Sequence, residues 1–463
     1  MKTKSMTQEE KIIYLTTEPI PPLIWRMAIP TIISMLVTNF YNMADTFFVG
    51  RINTQSTAAV GVVFSIMALI QAVGFFFGHG SGNYISKKLG AKRFEDASKM
   101  AATGFFSAFV VGVIICIIGL IFLEPLSIIL GSTPTILPYT KDYLSIILIG
   151  TPFIMSSFVL NNQLRYQGSA SYAMAGIVTG AIINIGLDPI LIFGFNMGIS
   201  GAAIATTVSQ IISFILLLVG CQKGNNIRIS VKNFTPQLYY FKEMFRGGFP
   251  SLCRQGLASV AQVSLNFAAG MYGGAMADAA IAGMSIVSRV SMFANSALIG
   301  FGQGFQPVCG MNYGAKKYDR VREAFWYCVK RAFVFLIIVS IIGVVFSKPI
   351  VTLFRKDDID VINIGAFALR MQAGVFFLNA WIVMSNMMLQ SVGKALKASI
   401  VASARQGLFF IPLIFILPNF LGLTGVQICQ PISDIFTFII AIPLTLGVLR
   451  EFKELSNKNN ITV

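Results

Sequence analysis

The sequence predicts an all-α integral membrane protein: twelve transmembrane helices in two six-helix bundles related by a pseudo-two-fold axis along the membrane normal. Three observations predict it. The 463 residues are 55% hydrophobic and only 12% charged, with a mean hydropathy of +0.74; a soluble domain carries about 25% charged residues. The apolar residues fall in runs of spanning length, and the run pattern of the first half recurs in the second.

The chain opens on a polar stretch, residues 1–21, rather than on a cleavable signal. Apolar runs long enough to span follow at roughly 22–50, 57–83, 100–123, 140–162, 170–194, 199–221, 247–272, 279–307, 325–347, 362–390, 397–418 and 423–449. Basic residues crowd the connections after the even-numbered spans: Lys87, Lys88, Lys92, Arg93 and Lys99 after the second, Arg165 after the fourth, Lys223, Arg228, Lys232, Lys242 and Arg246 after the sixth. Lys316, Lys317, Arg320, Arg322, Lys330 and Arg331 follow the eighth, and Lys394 and Lys397 the tenth. The opposite loops hold Arg51, Lys141, Lys348, Arg355 and Lys356. By the positive-inside rule both termini are expected in the cytoplasm of a multi-pass cell-membrane protein. The net charge of +16 is thereby a topology signal, not a nucleic-acid footprint. Six cysteines scattered singly and one histidine, His79, support neither a disulfide framework nor a metal motif. No paired Asp, His or Ser motif suggests an enzyme.

Leu89–Ala97 (LGAKRFEDA) recurs 224 residues on as Tyr313–Val321 (YGAKKYDRV), and at the same offset Gly198–Gly201 (GISG) recurs as Gly422–Gly425 (GLTG). Glu124-Pro125-Leu126 recurs as Lys348-Pro349-Ile350, Ile29-Pro30 matches Phe249-Pro250, and Asp188-Pro189 matches Ile411-Pro412. An even number of spans per repeat makes the repeat parallel and places a cavity between the halves. The expected organisation is an N-terminal bundle over residues 1–221, a cytoplasmic linker over 222–246 and a C-terminal bundle over 247–463.

Three acids fall well inside spans: Asp45, Asp188 and Asp434. Asn184 and Asp188 lie one helical turn apart. Pro189 follows and has no N–H to give, so the carbonyl of Ile185 is freed. Asp45 is five residues from Gly50, Asp188 six from Gly194, and Thr206 seven from Ile199. All three therefore sit at similar depth, roughly 8 Å below the outer ends. Thr38, Asn42 and Asp45 form one stripe, with Tyr41 four residues before the acid, and Thr206 and Gln210 share a face. Ionisable groups inside a membrane mark function by default. In low dielectric a carboxylate holds its proton more tightly, and carboxylate, amide oxygen, hydroxyl and free carbonyl are also the hard oxygens Na⁺ takes. H⁺ and Na⁺ both remain open on this reading, with no other cofactor. Asp434 aligns with Gln210 and is read as making a structural hydrogen bond or pairing with an Arg, the candidate being Arg289, the only cation read as deep; Arg254 and Arg370 are expected to snorkel. Met and aromatic residues lining the central cavity make an adaptable apolar surface.

The loops GAKRFEDA and GAKKYDRV, with ADTFFVGRI, NIGLDPILIFG, GISGAAIATTVSQ and SARQGLFFIPL on spans one, five, six and eleven, resemble the multidrug and toxic compound extrusion (MATE) family, nearest its bacterial DinF-related, MepA-like branch. The resemblance covers nearly the whole chain. It implies antiport of small, mostly cationic organic compounds against H⁺ or Na⁺ by a monomer in the lipid bilayer. The family's coupling residues map to Asp45, Asn184, Asp188 and Thr206. The sister NorM-like branch also carries acids on spans seven, eight or ten; here those spans have none inside the membrane, and that favours H⁺ through the N-terminal half. Candidates for contacting a substrate are Tyr41, Asn42, Gln71, Asn161, Gln210, Arg289 and Met292. The alternative is a lipid-linked saccharide flippase of the same superfamily, expected to line its cavity with several Arg and Lys.

Overall fold

A computed structural model of the chain describes residues 6–356 and 358–461, with side chains through 458; the first five residues of the polar leader lie outside them. The first six spans are Ile20–Val49, Thr54–Gly90, Phe94–Ile121, Leu137–Tyr166, Ala170–Pro189 and Gly198–Gln222. The second six are Leu238–Tyr272, Ala277–Gly314, Tyr318–Val345, Ile359–Ser391 with a tight turn at Phe376–Leu378, Ala395–Leu421, and Leu423–Ile461. Among the described residues, eleven of these are long and apolar enough to cross a membrane. The exception is the seventh, which matches the others in length at 35 residues but carries Lys242, Glu243, Arg246 and Arg254. It starts at Leu238, inside the stretch expected to be linker, because Tyr240 and Met244 are buried and carry the helix past the apolar run.

The internal repeat is visible in the backbone. Lys92 and Lys316 both adopt φ 58°, Gly198 and Gly422 both φ 56°, and Gly168 and Gly393 φ 81° and 83°. These left-handed positions end or start equivalent helices. Asn161 donates to the Ala173 carbonyl at 3.1 Å, and its counterpart Asn386 donates to the Ala398 carbonyl at 2.7 Å.

The halves meet through spans one and two on one side and seven and eight on the other. The approach is closest at the end that carries the basic loops. A Cβ on Gly90 would fall 2.1 Å from the Met311 carbonyl oxygen, and one on Gly314 2.0 Å from the Lys87 carbonyl oxygen. Small residues at a membrane helix interface permit this backbone contact. Thr31 donates across the seam to the Gly300 carbonyl at 2.6 Å, and Phe40 meets Phe293 edge-on at 5.4 Å. Further along, Met43, Phe47, Val263, Phe267 and Met292 are exposed. The halves are thus closed together at the basic end, while these faces stand open toward the other.

A short helix, Gln8–Thr17, straps the closed end. Thr7 and Glu10 cap it reciprocally, at 2.7 and 3.2 Å. Lys11 donates to Ser169, to the Gly224 carbonyl and to Asn226 of the first half, at 2.9, 2.7 and 2.7 Å. Its C-terminal carbonyls accept from Asn312, Lys317 and Arg320 of the second half, at 2.9, 2.9 and 2.6 Å.

Gly314→Ala overpacks the seam at a cost of about 1–3 kcal/mol, which lowers the closed population roughly 5- to 150-fold. Alkylation of the buried seam residue Cys309, localised by mass spectrometry, is expected to accelerate in that range; an unchanged rate would show that the seam yields elsewhere.

Candidate functional site

The part of the N-terminal bundle away from the basic loops brings Asp45, Asn184, Asp188 and Thr206 together. Asp188 is fully buried, and Asn184 and Thr206 nearly so. The Asn184 amide nitrogen faces Asp188 Oδ1 at 3.5 Å and Thr206 Oγ1 at 3.4 Å. Asp45, on the first span, lies within electrostatic reach of Asp188. Span five does not continue as a regular α-helix past Pro189: residues Ile190–Gly194 wind as one wide π turn. That follows from the missing proline N–H, which removes the α-helical donor to the Ile185 carbonyl. Gly201 of span six packs against the turn, where a Cβ would sit 2.9 Å from the Leu191 carbonyl.

Tyr143 completes the group, and sequence reasoning missed it. It is fully buried on span four with its hydroxyl beside Thr206, close enough to feel both acids. Its distance from the start of span four was the available signal. Tyr41 sets its hydroxyl toward Gln210 and also senses both acids. Three buried acceptor atoms here, Asp45 Oδ1, Asp188 Oδ2 and Asn184 Oδ1, have no hydrogen-bond donor among the described residues. Such a group carries a desolvation penalty until a proton or a cation arrives.

The remaining candidates scatter. Asn42 and Met292 are exposed and Gln71 is half-buried. Asn161 ties spans four and five through its bond to Ala173, away from the acids. Arg289 is exposed and makes no ion pair among the described residues, so its expected pairing with Asp434 does not form. Asp434 instead takes Arg405, Nε to Oδ1 at 2.8 Å. Gln430 and Asn379 donate to the same carboxylate at 2.8 and 3.1 Å. Arg405 sits in the π turn Ala404–Leu408 of span eleven, which lies before Pro412 rather than after it as in span five. Arg289 is not the only deep cation either. Arg165, expected in a loop, lies inside span four and is 1% exposed. Arg254 does not snorkel; it donates to Asn386 at 3.2 Å.

A two-bundle, multi-pass helical protein with unbalanced acids in one bundle has the makings of a membrane transporter. The MatE family profile matches it twice, over residues 30–190 and again over 256–416. The chain belongs to the MATE family. It is 29% identical to the multidrug export protein MepA of Staphylococcus haemolyticus over 98% of both chains. It is 27% identical to MepA of Staphylococcus aureus strain MSSA476, over 90% of this chain and 92% of that one. A multidrug resistance MATE transporter solved in an outward-facing conformation superposes with a TM-score of 0.90 at 26% identity, covering 97% of this chain and 100% of its own. A MATE crystal structure in complex with MaL6 gives a TM-score of 0.90 over 96% of this chain and 99% of its own, at 26% identity.

Arg405→Ala leaves Asp434 buried without its counter-charge, at an expected cost of about 3–5 kcal/mol. The double variant Arg405→Met/Asp434→Leu is expected to recover most of that. Melting in detergent checks both, and a single variant as stable as the parent would contradict the pairing.

Proposed function

We propose that the chain is a proton-coupled antiporter that exports amphipathic, mostly cationic organic compounds by alternating access, with Na⁺ as the alternative coupling ion. The bundles over residues 1–221 and 247–463 move against each other, and the strapped, basic end faces the cytoplasm. In this reading the protein acts as a monomer.

The observation that carries the reading is the set of donor-less oxygens on Asp45, Asp188 and Asn184. Ionised, the two acids supply negative charge that attracts an organic cation or a proton. Protonation from the outer side removes that charge, and the compound loses its attraction and leaves. Each elementary charge crossing 100 mV contributes about 2.3 kcal/mol, so exchange linked to these acids sustains a gradient. The amide nitrogen of Asn184, a donor, points toward Asp188 and Thr206. A donor facing the group suits a carboxylate that alternates with its protonated form better than a bare Na⁺ ion. The two MepA relatives bear the description multidrug export protein, and the exposed Met43, Phe47, Phe267 and Met292 give varied apolar compounds an adaptable surface.

The test is ethidium efflux from cells lacking their own pumps, under an imposed proton or sodium gradient. The parent is expected to respond to the proton gradient. Asp188→Asn and Asp45→Asn are each expected to lose about 10²-fold or more in coupled export, equivalent to about 2.7 kcal/mol. Variants exporting as well as the parent would contradict the assignment, and export driven by sodium alone would select the other ion.

A further inference from the structure

At the seam between the halves, Arg165 and Arg254 have no acid paired with them among the described residues. Arg165 closes span four. Its Nη2 donates to Asn162 Oδ1 at 2.6 Å and faces His79 Nε2 at 3.3 Å, and its Nη1 donates to Gln303 across the seam. His79 Nδ1 lies 3.2 Å from the Phe75 carbonyl, so the ring donates there and accepts from Arg165 as a neutral imidazole. Every partner of this guanidinium is uncharged. The buried hydroxyl of Tyr166 lies within hydrogen-bonding reach of the guanidinium, and its ring centre is 5.2 Å from the guanidinium carbon, but neither that hydroxyl nor Arg165 Nε closes a well-formed bond among the described residues.

A second guanidinium stands nearby. Arg254, from the other half, is within electrostatic reach of Arg165, Tyr166 and His79. Its bonded partner, Asn386, is also neutral. Among the described residues neither arginine is in an ion pair. Taking one uncompensated ion out of water costs several kcal/mol, and a like charge alongside adds to that. Packing and neutral hydrogen bonds occupy both Nη atoms of Arg165. They leave the net charge unanswered, and Arg165 Nε and the Tyr166 hydroxyl without a well-formed bond.

We propose that this seam is a binding site for a small monovalent anion, a halide or a simple carboxylate, held by Arg165 Nε, the Tyr166 hydroxyl and Arg254. Its groups come from both halves, so it is assembled when the basic end is closed and dispersed when that end opens. A ligand that binds one state alone stabilises that state. The anion is thus an effector of the closed seam rather than cargo, and its sign is opposite to that of the acids in the N-terminal bundle. The inference stands whether or not the export reading holds, since it concerns a separate site.

Cys309 is buried at the same seam, beside Tyr166, and reports its opening. The purified full chain in neutral detergent is alkylated at fixed ionic strength in sodium chloride, sodium acetate or sodium isethionate, whose bulkier sulfonate serves as the reference anion. Chloride or acetate is expected to slow Cys309 alkylation saturably, roughly tenfold at ten times its Kd, and whichever acts identifies the halide or the carboxylate. Arg254→Gln, at a half-buried position, and Tyr166→Phe are expected to keep the fold by melting and to lose most of the response. A bromide soak is expected to place an anomalous peak beside Arg165. Equal rates in all three salts would overturn the proposal. So would an undiminished response in Arg254→Gln, which would mark a general salt effect.

Discussion

Asp45 and Asp188 sit in a bundle that offers their buried oxygens too few donors, and the C-terminal half shows what a balanced version looks like. There, Asp434 is met by Arg405, Gln430 and Asn379, all supplied by the chain. The two halves share helix order, turn geometry and a π turn in the corresponding span. They differ in where the counter-charge comes from. In the second half it is covalently attached and cannot leave. In the first no such partner is supplied among the described residues, and under the proposed exchange it would come from solution.

The site and the seam are physically continuous. Span one carries Asp45 near one end, and nearer the other it carries Thr31, bonded to Gly300, and Ala28, packed against Gly304. On the proposed reading, a change of protonation at the acid group would act on the same helix that closes the basic end. The glycine contacts make that closure steep, since backbones touching at carbonyl distance are either seated or apart. The strap Gln8–Thr17 adds polar bonds to both halves across the same end. Such bonds raise the stability of the closed arrangement.

Much of this was legible in the sequence, for identifiable reasons. Hydrophobic runs and loop charge give spans because the bilayer imposes both. Repeated motifs such as GAKRFEDA and GAKKYDRV each contain a turn of the same handedness, at Lys92 and Lys316. Asp45, Asn184, Asp188 and Thr206 could be grouped because depth along a helix follows from counting residues. Rotation about a helix axis and contacts between distant spans cannot be counted. That is why Tyr143 was missed, and why Arg289 was paired with an acid it does not reach. Arg405 lies within the apolar-looking stretch SARQGLFFIPL, where only the π turn reveals that it faces Asp434. Arg165 read as a loop cation because the apolar run ends before the helix does. The seventh span began early for the same reason: helices continue where packing supports them, and hydropathy does not record packing.

The central claim is that an organic cation and a proton compete for the acids of the N-terminal bundle. Calorimetric titration of the purified protein with a tetraphenylphosphonium-type cation, in buffers of different ionisation enthalpy and across neutral pH, measures that competition directly. The account predicts that cation binding releases protons, that affinity weakens as pH falls, and that Asp188→Asn abolishes the proton release. Cation binding with no proton release and a flat pH dependence in the parent would contradict it.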